Sequence, residues 1–264
     1  MERPTRPWRG GGLHGTDDTG AARLLIVAPT RRELAGLRFG RSAGYGVAVL
    51  GLGKAAADGL REVLKSRTPH VLLSVGFAGA LSPDLRTGDL VVSTEAAVQP
   101  ASKPASLSAS LGNEAFKALA LAGMRVTTGS ILTVPRPLMS KDEKQRYGKT
   151  TGAAVVDMET YWIAEEADRA DVPVVSVRTV VDELDHDLPD LVAQITADER
   201  GRKLYHALRA MRNPASIGAL VPLAARSRKA ANASKKAVRT LVPVCLRCGR
   251  QRPAGTTQSS GVRA

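Results

Sequence analysis

The sequence predicts an α/β protein, a three-layer α/β/α sandwich around a mixed central sheet. Three observations carry this. Hydrophobic residues make up 43% of the 264 residues but aromatics only 3%, so the core must be built from Val, Leu, Ile and Ala. Short runs rich in Val and Leu alternate with Ala-rich segments of helical period. Several of the runs are apolar at nearly every position, the pattern of strands covered on both faces.

The elements follow in order. Residues 1–22 are rich in Gly, Arg, Pro and Asp and read as a disordered leader. Leu24–Ala28 is the first strand, closed by Pro29, and a helix carrying Glu33, Leu34 and Leu37 is expected next. Tyr45–Leu50 is a second strand and Lys54–Lys65 a helix. Val71–Val75 is a buried strand running into a small-residue turn, Gly76-Phe77-Ala78-Gly79. A turn at Ser82-Pro83-Asp84 leads to the strand Gly88–Val92, and residues 98–110 read as a surface loop. Asn113–Ala122 is a short helix, and Thr127–Thr133 a strand ending at Pro135. Ala154–Glu159 is a strand edge followed by a helix through Arg169. Val172–Arg178 is a further buried strand, leading to the acids Asp182, Glu183, Asp185 and Asp187.

Charge divides the chain. Of its 38 Lys and Arg, 14 lie in residues 201–264, which contain no Asp or Glu. The first 200 residues are left with 24 basic and 25 acidic side chains, so the body is neutral. A basic catalytic groove is not supported, whereas a basic appendage is. The expected organisation is therefore a leader (1–22), one catalytic-type domain (23–200), and a basic, helical to disordered tail (201–264). Within the tail, Leu204–Met211 reads as an amphipathic helix and Ile217–Ala225 is apolar but far too short to span a bilayer. Cations follow at Arg226, Arg228, Lys229, Lys235, Lys236 and Arg239, a pattern that suits peripheral contact with an anionic membrane surface. A solubilising tail is the plain alternative. Specific nucleic-acid binding is disfavoured, because only Tyr205 interleaves the charges. The N-terminal segment lacks a hydrophobic signal region, which makes a cytoplasmic setting the default.

Motifs narrow the chemistry. Gly51-Leu52-Gly53-Lys54-Ala55-Ala56 matches a dinucleotide fingerprint, but the next strand ends at Gly76–Gly79 without the acid that would hold a ribose. A glycine turn packed against a helix is the better account, and no cofactor is expected. Cys245-Leu-Arg-Cys248 is a lone pair where zinc needs four ligands, so no metal is expected either. His186, between Asp185 and Asp187, reads as a solvated loop residue. Glu159 and Asp182 each follow a hydrophobic strand. Either alone is commonly a helix cap. Two acids from different strands, beside the small-residue segment containing Phe77 and Gly79, describe a cleft suited to a neutral, sugar-like substrate.

These residues carry a resemblance. Gly51–Ala56, Val75–Glu95, Val156-Asp157-Met158-Glu159 and Val177–Asp182, in that order, resemble the nucleoside phosphorylase and nucleosidase superfamily, most of all 5′-methylthioadenosine/S-adenosylhomocysteine nucleosidases. Three features are similar to the hopanoid-associated branch, which cleaves adenine from adenosylhopane: Val156–Glu159, the acidic loop ending at Asp187-Leu-Pro189, and the basic, Leu-rich tail around Arg212–Pro214 and Leu220–Arg228.

The resemblance implies a phosphorylase/hydrolase-like fold, a purine nucleoside as partner, a homo-oligomer, and roles for particular residues. Asp182 would protonate or hydrogen-bond the departing purine. Glu159 would bind ribose hydroxyls and steady the developing cation, with Met158 packed on the sugar. Glu33 would orient the attacking water, and Arg178 would tether the acidic loop beside Asp182. Phe77 and Val181 stand where the family usually has serines. Ile131 and Leu132 stand near where it has an aromatic residue for the base, and Phe77 could supply stacking instead. Glu33 favours hydrolysis. Arg31 and Arg32 keep phosphorolysis, with phosphate as second substrate, open. A non-catalytic ligand-binding or membrane-associated member of the fold is the third reading.

Overall fold

The computed structural model describes residues 23–34, 44–66, 68–98, 103–189 and 214–249. The expected leader and the segment Leu204–Met211 lie outside them. Eight strands are found among the described residues: β1 (Leu24–Ala28), β2 (Tyr45–Val49), β3 (Val71–Ala80), β4 (Leu90–Val98), β5 (Ala105–Ser106), β6 (Val126–Thr133), β7 (Val155–Asp157) and β8 (Val174–Asp182). The helices are α1 (Ala55–Ser66), α2 (Ala109–Leu121), α3 (Lys141–Thr151), α4 (Thr160–Arg169) and α5 (Pro214–Gly249).

The sheet is mixed and closes on itself. β3 pairs in parallel with β1 and β8 and antiparallel with β7. β8 pairs antiparallel with β4, β4 parallel with β6, and β6 parallel with β7. β3, β8, β4, β6 and β7 thus form a ring of strands, while β1 and β2 extend from β3 as an open wing.

Alternation along the strands explains the three layers. Leu24, Ile26 and Ala28 of β1, Leu73 and Val75 of β3, and Val175 and Val177 of β8 share one buried cluster with Leu111, Ala115 and Leu119 of α2. Leu25, Val27, Leu72 and Val174 face the other way, onto Ala56 and Leu60 of α1 and Ile163, Ala164 and Ala167 of α4. Strand side chains point alternately to opposite faces, so strands covered on both are largely apolar, interrupted in β3 by Ser74 and in β8 by Ser176 and, further on, by Arg178, Thr179 and Asp182.

Several expectations change. Gly76–Gly79 is not a turn: β3 continues through Ala80, held by β8 on one edge and β7 on the other. Residues 31–34 form a turn rather than the start of a helix, and the positions around Leu37 lie outside the described residues. The expected loop 98–110 contains β5 and the first turn of α2, whose N-cap Ser108 accepts from Leu111 N–H. α3 was not expected at all, although Ser140 accepts a hydrogen bond from Glu143 N–H and Gly152 closes the helix at φ +68°, both recognisable end signals.

The largest correction concerns the tail. α5 is not an appendage: Ala237, Val238, Leu241 and Cys245 are buried in the same cluster as β1, β3 and β8. A boundary at residue 200 therefore does not separate core from tail. The helix has an apolar face at helical spacing and a cationic outer face, so it supplies a layer of the sandwich and carries charge at once. Burial pushes the Cys245 thiol up to about 12, which makes it an inert packing group. Among the described residues no helix is long and apolar enough to cross a membrane.

Candidate active site

The carboxyl-terminal half of β3 organises the site. Its burial alternates: Gly76, Ala78 and Ala80 are buried, while Phe77 and Gly79 are partly open. Residues two apart on a strand share a face, so Phe77 and Gly79 present one surface. Glu33 stands at the first of these. Its Oε1 accepts from Phe77 N–H at 3.2 Å, and its Oε2 from Thr30 N–H and Oγ1 at 2.7 and 2.8 Å. Asp182 stands at the second. It pairs with Gly79 in register, and a Cβ on Gly79 would lie 3.6 Å from its Oδ2. Glycine there leaves open the space beside the carboxylate.

Glu159 reaches the same region from β7. That short strand runs antiparallel to β3, and the chain leaves it at Asp157 to enter α4. Glu159 occupies the N-cap position, yet its side chain makes no cap bond. Asp157 does the capping instead, accepting from Thr160 N–H and Oγ1. Glu159 is thereby released for another use, and its Oε1 accepts from Gly53 N–H at 2.8 Å. Gly53 has φ +59°, a left-handed backbone suited to glycine. The Gly51–Gly53 motif thus presents a backbone donor to a carboxylate.

Electrostatics at this end is unusual. Burial, with Asp157 and Glu33 nearby, pushes the Glu159 carboxyl up to about 8, against the pull of Gly53 N–H and Arg178. Burial also raises Glu33, opposed by its bonds to Thr30 and Phe77. The balancing cation is Arg178, wholly buried, whose Nε donates to Asp157 Oδ2 at 2.8 Å, Nη2 to Ser74 Oγ at 3.2 Å and Nη1 to Val177 O at 3.4 Å. Arg178 therefore does not tether the acidic loop. It sits two pairs of residues back from Asp182 along β8, and its guanidinium packs over Gly76, where a Cβ would come within 3.2 Å.

The loop is tied by a residue the sequence reading missed. Lys144 of α3 is fully buried and donates to Asp182 Oδ2 and Glu183 O at 2.7 Å and to His186 O at 2.5 Å. Burial raises the Asp182 carboxyl, while Lys144, Arg226 of α5 and His186 draw it down. The second carboxylate oxygen, Oδ1, is buried without a hydrogen-bond partner. A free acidic oxygen in such a place can donate to, or accept from, a ligand.

The remaining expected residues divide. Met158 is partly open between Asp157 and Glu159, and Phe77 is partly open on β3. Ile131 is not: it is fully buried, packed with Ala78, Val91, Val155 and Val180 inside the strand ring. Pairing to both β4 and β7 turns it inward, so it is a packing residue rather than a wall for a base. Arg31 and Arg32 are exposed beside the buried Glu33.

A ring-closed mixed sheet between helix layers thus gathers buried carboxylic acids beside a small-residue strand. The chain belongs to the phosphorylase superfamily, whose sequence pattern matches residues 37–212, and it is an enzyme of that superfamily. It is similar to the 5′-methylthioadenosine/S-adenosylhomocysteine nucleosidases of Glaesserella parasuis serovar 5, 28% identical over 181 residues (61% of this chain, 79% of the relative), and of Shewanella pealeana, 28% identical over 205 residues (67% and 88%). Its fold is that of a Helicobacter pylori futalosine hydrolase mutant, with a TM-score of 0.65 at 18% identity, covering 84% of this chain and 98% of that one. It is likewise that of a Neisseria meningitidis 5′-methylthioadenosine/S-adenosylhomocysteine nucleosidase bound to methylthio-immucillin-A, with a TM-score of 0.64 at 20% identity, covering 84% and 98%.

Proposed function

We propose that the protein hydrolyses the N-glycosidic bond of an adenine nucleoside carrying a 5′ substituent, as in methylthioadenosine, adenosylhomocysteine or adenosylhopane. The observation that carries this is the free, buried Oδ1 of Asp182, which pairs with Gly79 of β3 two residues along from Phe77, whose N–H holds the Glu33 carboxyl within electrostatic reach of Glu159. Bond cleavage leaves positive charge on the ribosyl ring and negative charge on the purine. Asp182 protonates or hydrogen-bonds the base through Oδ1, which lowers the cost of its departure. Glu159, once ionised, accepts from ribose hydroxyls and stabilises the cation-like ring, against which Met158 packs. Glu33 holds the attacking water, and Phe77 forms a wall for the base. Arg178 acts indirectly, by fixing Asp157 and hence the turn that presents Glu159.

Hydrolysis is favoured over phosphorolysis by the position of Glu33. A buried carboxylate beside the reacting carbon repels a phosphate dianion, and the two arginines that would attract one are exposed. The test is release of free adenine from methylthioadenosine, adenosylhomocysteine and an adenosylated hopanoid, with futalosine as a further substrate, each with and without phosphate. Absence of base release from every substrate refutes the proposal; dependence on phosphate refutes hydrolysis.

A peripheral membrane contact is a second part of the reading. Arg228, Lys235 and Arg239 follow one another at spacings that align on one helix face, and α5 contains no acid. Arg228 and Arg239 are exposed. Such a stripe suits a surface of anionic lipid headgroups.

A further inference from the structure

Lysine is rarely wholly buried, because its ammonium loses strong hydration unless its donors are all satisfied. Lys144 meets that condition with three short bonds, one to the Asp182 carboxylate and two to carbonyls of the loop behind it. An ammonium has three donors, so none is left over for a ligand. Asp182 is asymmetric as a result: Oδ2 is committed to Lys144 and Oδ1 is buried without a partner.

We propose that Lys144 is a positioning residue for the reaction. It fixes Oδ2 and the 183–186 loop, so that Oδ1 alone meets the leaving base. This rests on the proposed role of Asp182. It also explains how the acid is oriented when Val181 before it, and Phe77 two residues before its β3 partner Gly79, offer no side-chain donor. The charged and titratable groups facing Asp182 are Lys144 from α3, Arg226 from α5 and His186 from its own loop; β3 contributes Gly79 and no charge. Of these, Lys144 is the one in hydrogen-bond contact with the carboxylate.

A lysine that served only the loop carbonyls would tie α3 to the loop without affecting how Asp182 titrates. A positioning lysine must do both. Its charge favours the ionised carboxylate, so its removal moves the titration of Asp182 to higher pH, whether the enzyme uses the protonated or the ionised form. The experiment compares wild type with Lys144→Met, Lys144→Gln and Lys144→Arg in adenine release from methylthioadenosine between pH 5 and 10. The Met and Gln variants are expected to lose about tenfold or more in kcat. The limb of the kcat profile that Asp182→Asn abolishes should move up by about one pH unit or more. Lys144→Arg, which keeps the cation, should leave that limb in place and restore part of kcat. Equal loss at every pH with an unmoved limb, or wild-type kcat in the Met variant, overturns the proposal.

A second measurement separates this from the activity itself. Isotope-edited infrared or carbon NMR titration of labelled aspartate, assigned through Asp182→Asn, reads the carboxyl directly. If wild type releases no adenine from any substrate, the function reading fails, but an upward shift of this carboxyl in Lys144→Gln still supports the pair. No shift in a folded variant refutes it. Should Lys144→Met not fold, the Gln and Arg variants carry the comparison.

Discussion

Gly53 N–H donates to Glu159 Oε1 at 2.8 Å, joining the turn after β2 to the start of α4 across 106 residues of chain. The bond gives a buried glutamic acid a backbone partner for Oε1. That the same acid is pushed up to about 8 has a measurable consequence.

The folded state of Glu159 retains a proton that the unfolded chain releases near the ordinary glutamate value of 4.5. Native stability therefore falls as pH rises from about 4.5 towards about 8, and the penalty is complete above that. Glu159→Gln removes it. Thermal melting at pH 9 should show the variant more stable than wild type by roughly 4 °C or more, with little difference at pH 4. Equal melting profiles for the two proteins at all pH would contradict the assignment.

Asp182→Asn keeps the shape of the side chain but removes the acid. Adenine release should fall by roughly a hundred- to ten-thousand-fold in kcat/KM, with near-normal folding. Initial rates on methylthioadenosine test this, and a variant within a few-fold of wild type would remove Asp182 from the mechanism.

Arg178 and Asp157 form an ion pair in which both side chains are almost wholly buried. Arg178→Met strands a carboxylate that also caps α4, so a loss of about 3–5 kcal/mol is expected in denaturant unfolding. The double replacement Arg178→Met with Asp157→Asn should recover part of that loss. Additive losses would show that the two residues do not act as a pair.

Leu241 lies at the centre of the face that α5 turns to the sheet, and it is fully buried. Leu241→Ala should cost about 2–5 kcal/mol, as for other large-to-small changes in a core. An effect below about 0.5 kcal/mol, the range typical of surface sites, would return the helix to the status of an appendage.

On the outer face of the same helix, Arg228→Glu with Arg239→Glu should weaken cosedimentation with phosphatidylserine vesicles. Each basic residue at such a surface contributes about 1 kcal/mol, and added salt should reproduce the effect. Wild-type protein that ignores these vesicles at low salt would exclude the contact.

The parts of this molecule legible in its sequence are those set by local pattern. Val71–Val75 and Val174–Val177 announce buried strands by near-continuous apolar runs, each interrupted by one serine, and the acids Glu159 and Asp182 stand out after such runs. Lys144 does not, because Lys-Asp-Glu-Lys-Gln-Arg carries no apolar residue and has the composition of a solvated surface segment. Only the closing of a loop 39 residues further on turns that ammonium inward. Arg178 has partners as distant as Ser74, fixed by strand order rather than spacing. In α5 the small and apolar residues Ala230, Ala237, Leu241 and Cys245 recur at helical intervals, yet the excess of cations obscured a face that packs. Gly76–Gly79 looked like a turn because small residues usually bend a chain. Here they let neighbouring side chains approach a straight strand.

That close approach makes β3 a lever. A single methyl group at position 76 would press on the guanidinium of Arg178, which grips Asp157, which in turn seats the first turn of α4 and the glutamate at its head. If Glu159 binds the sugar as proposed, a change at this glycine would alter affinity through Arg178 and Asp157, and variation along the strand would tune the site from behind.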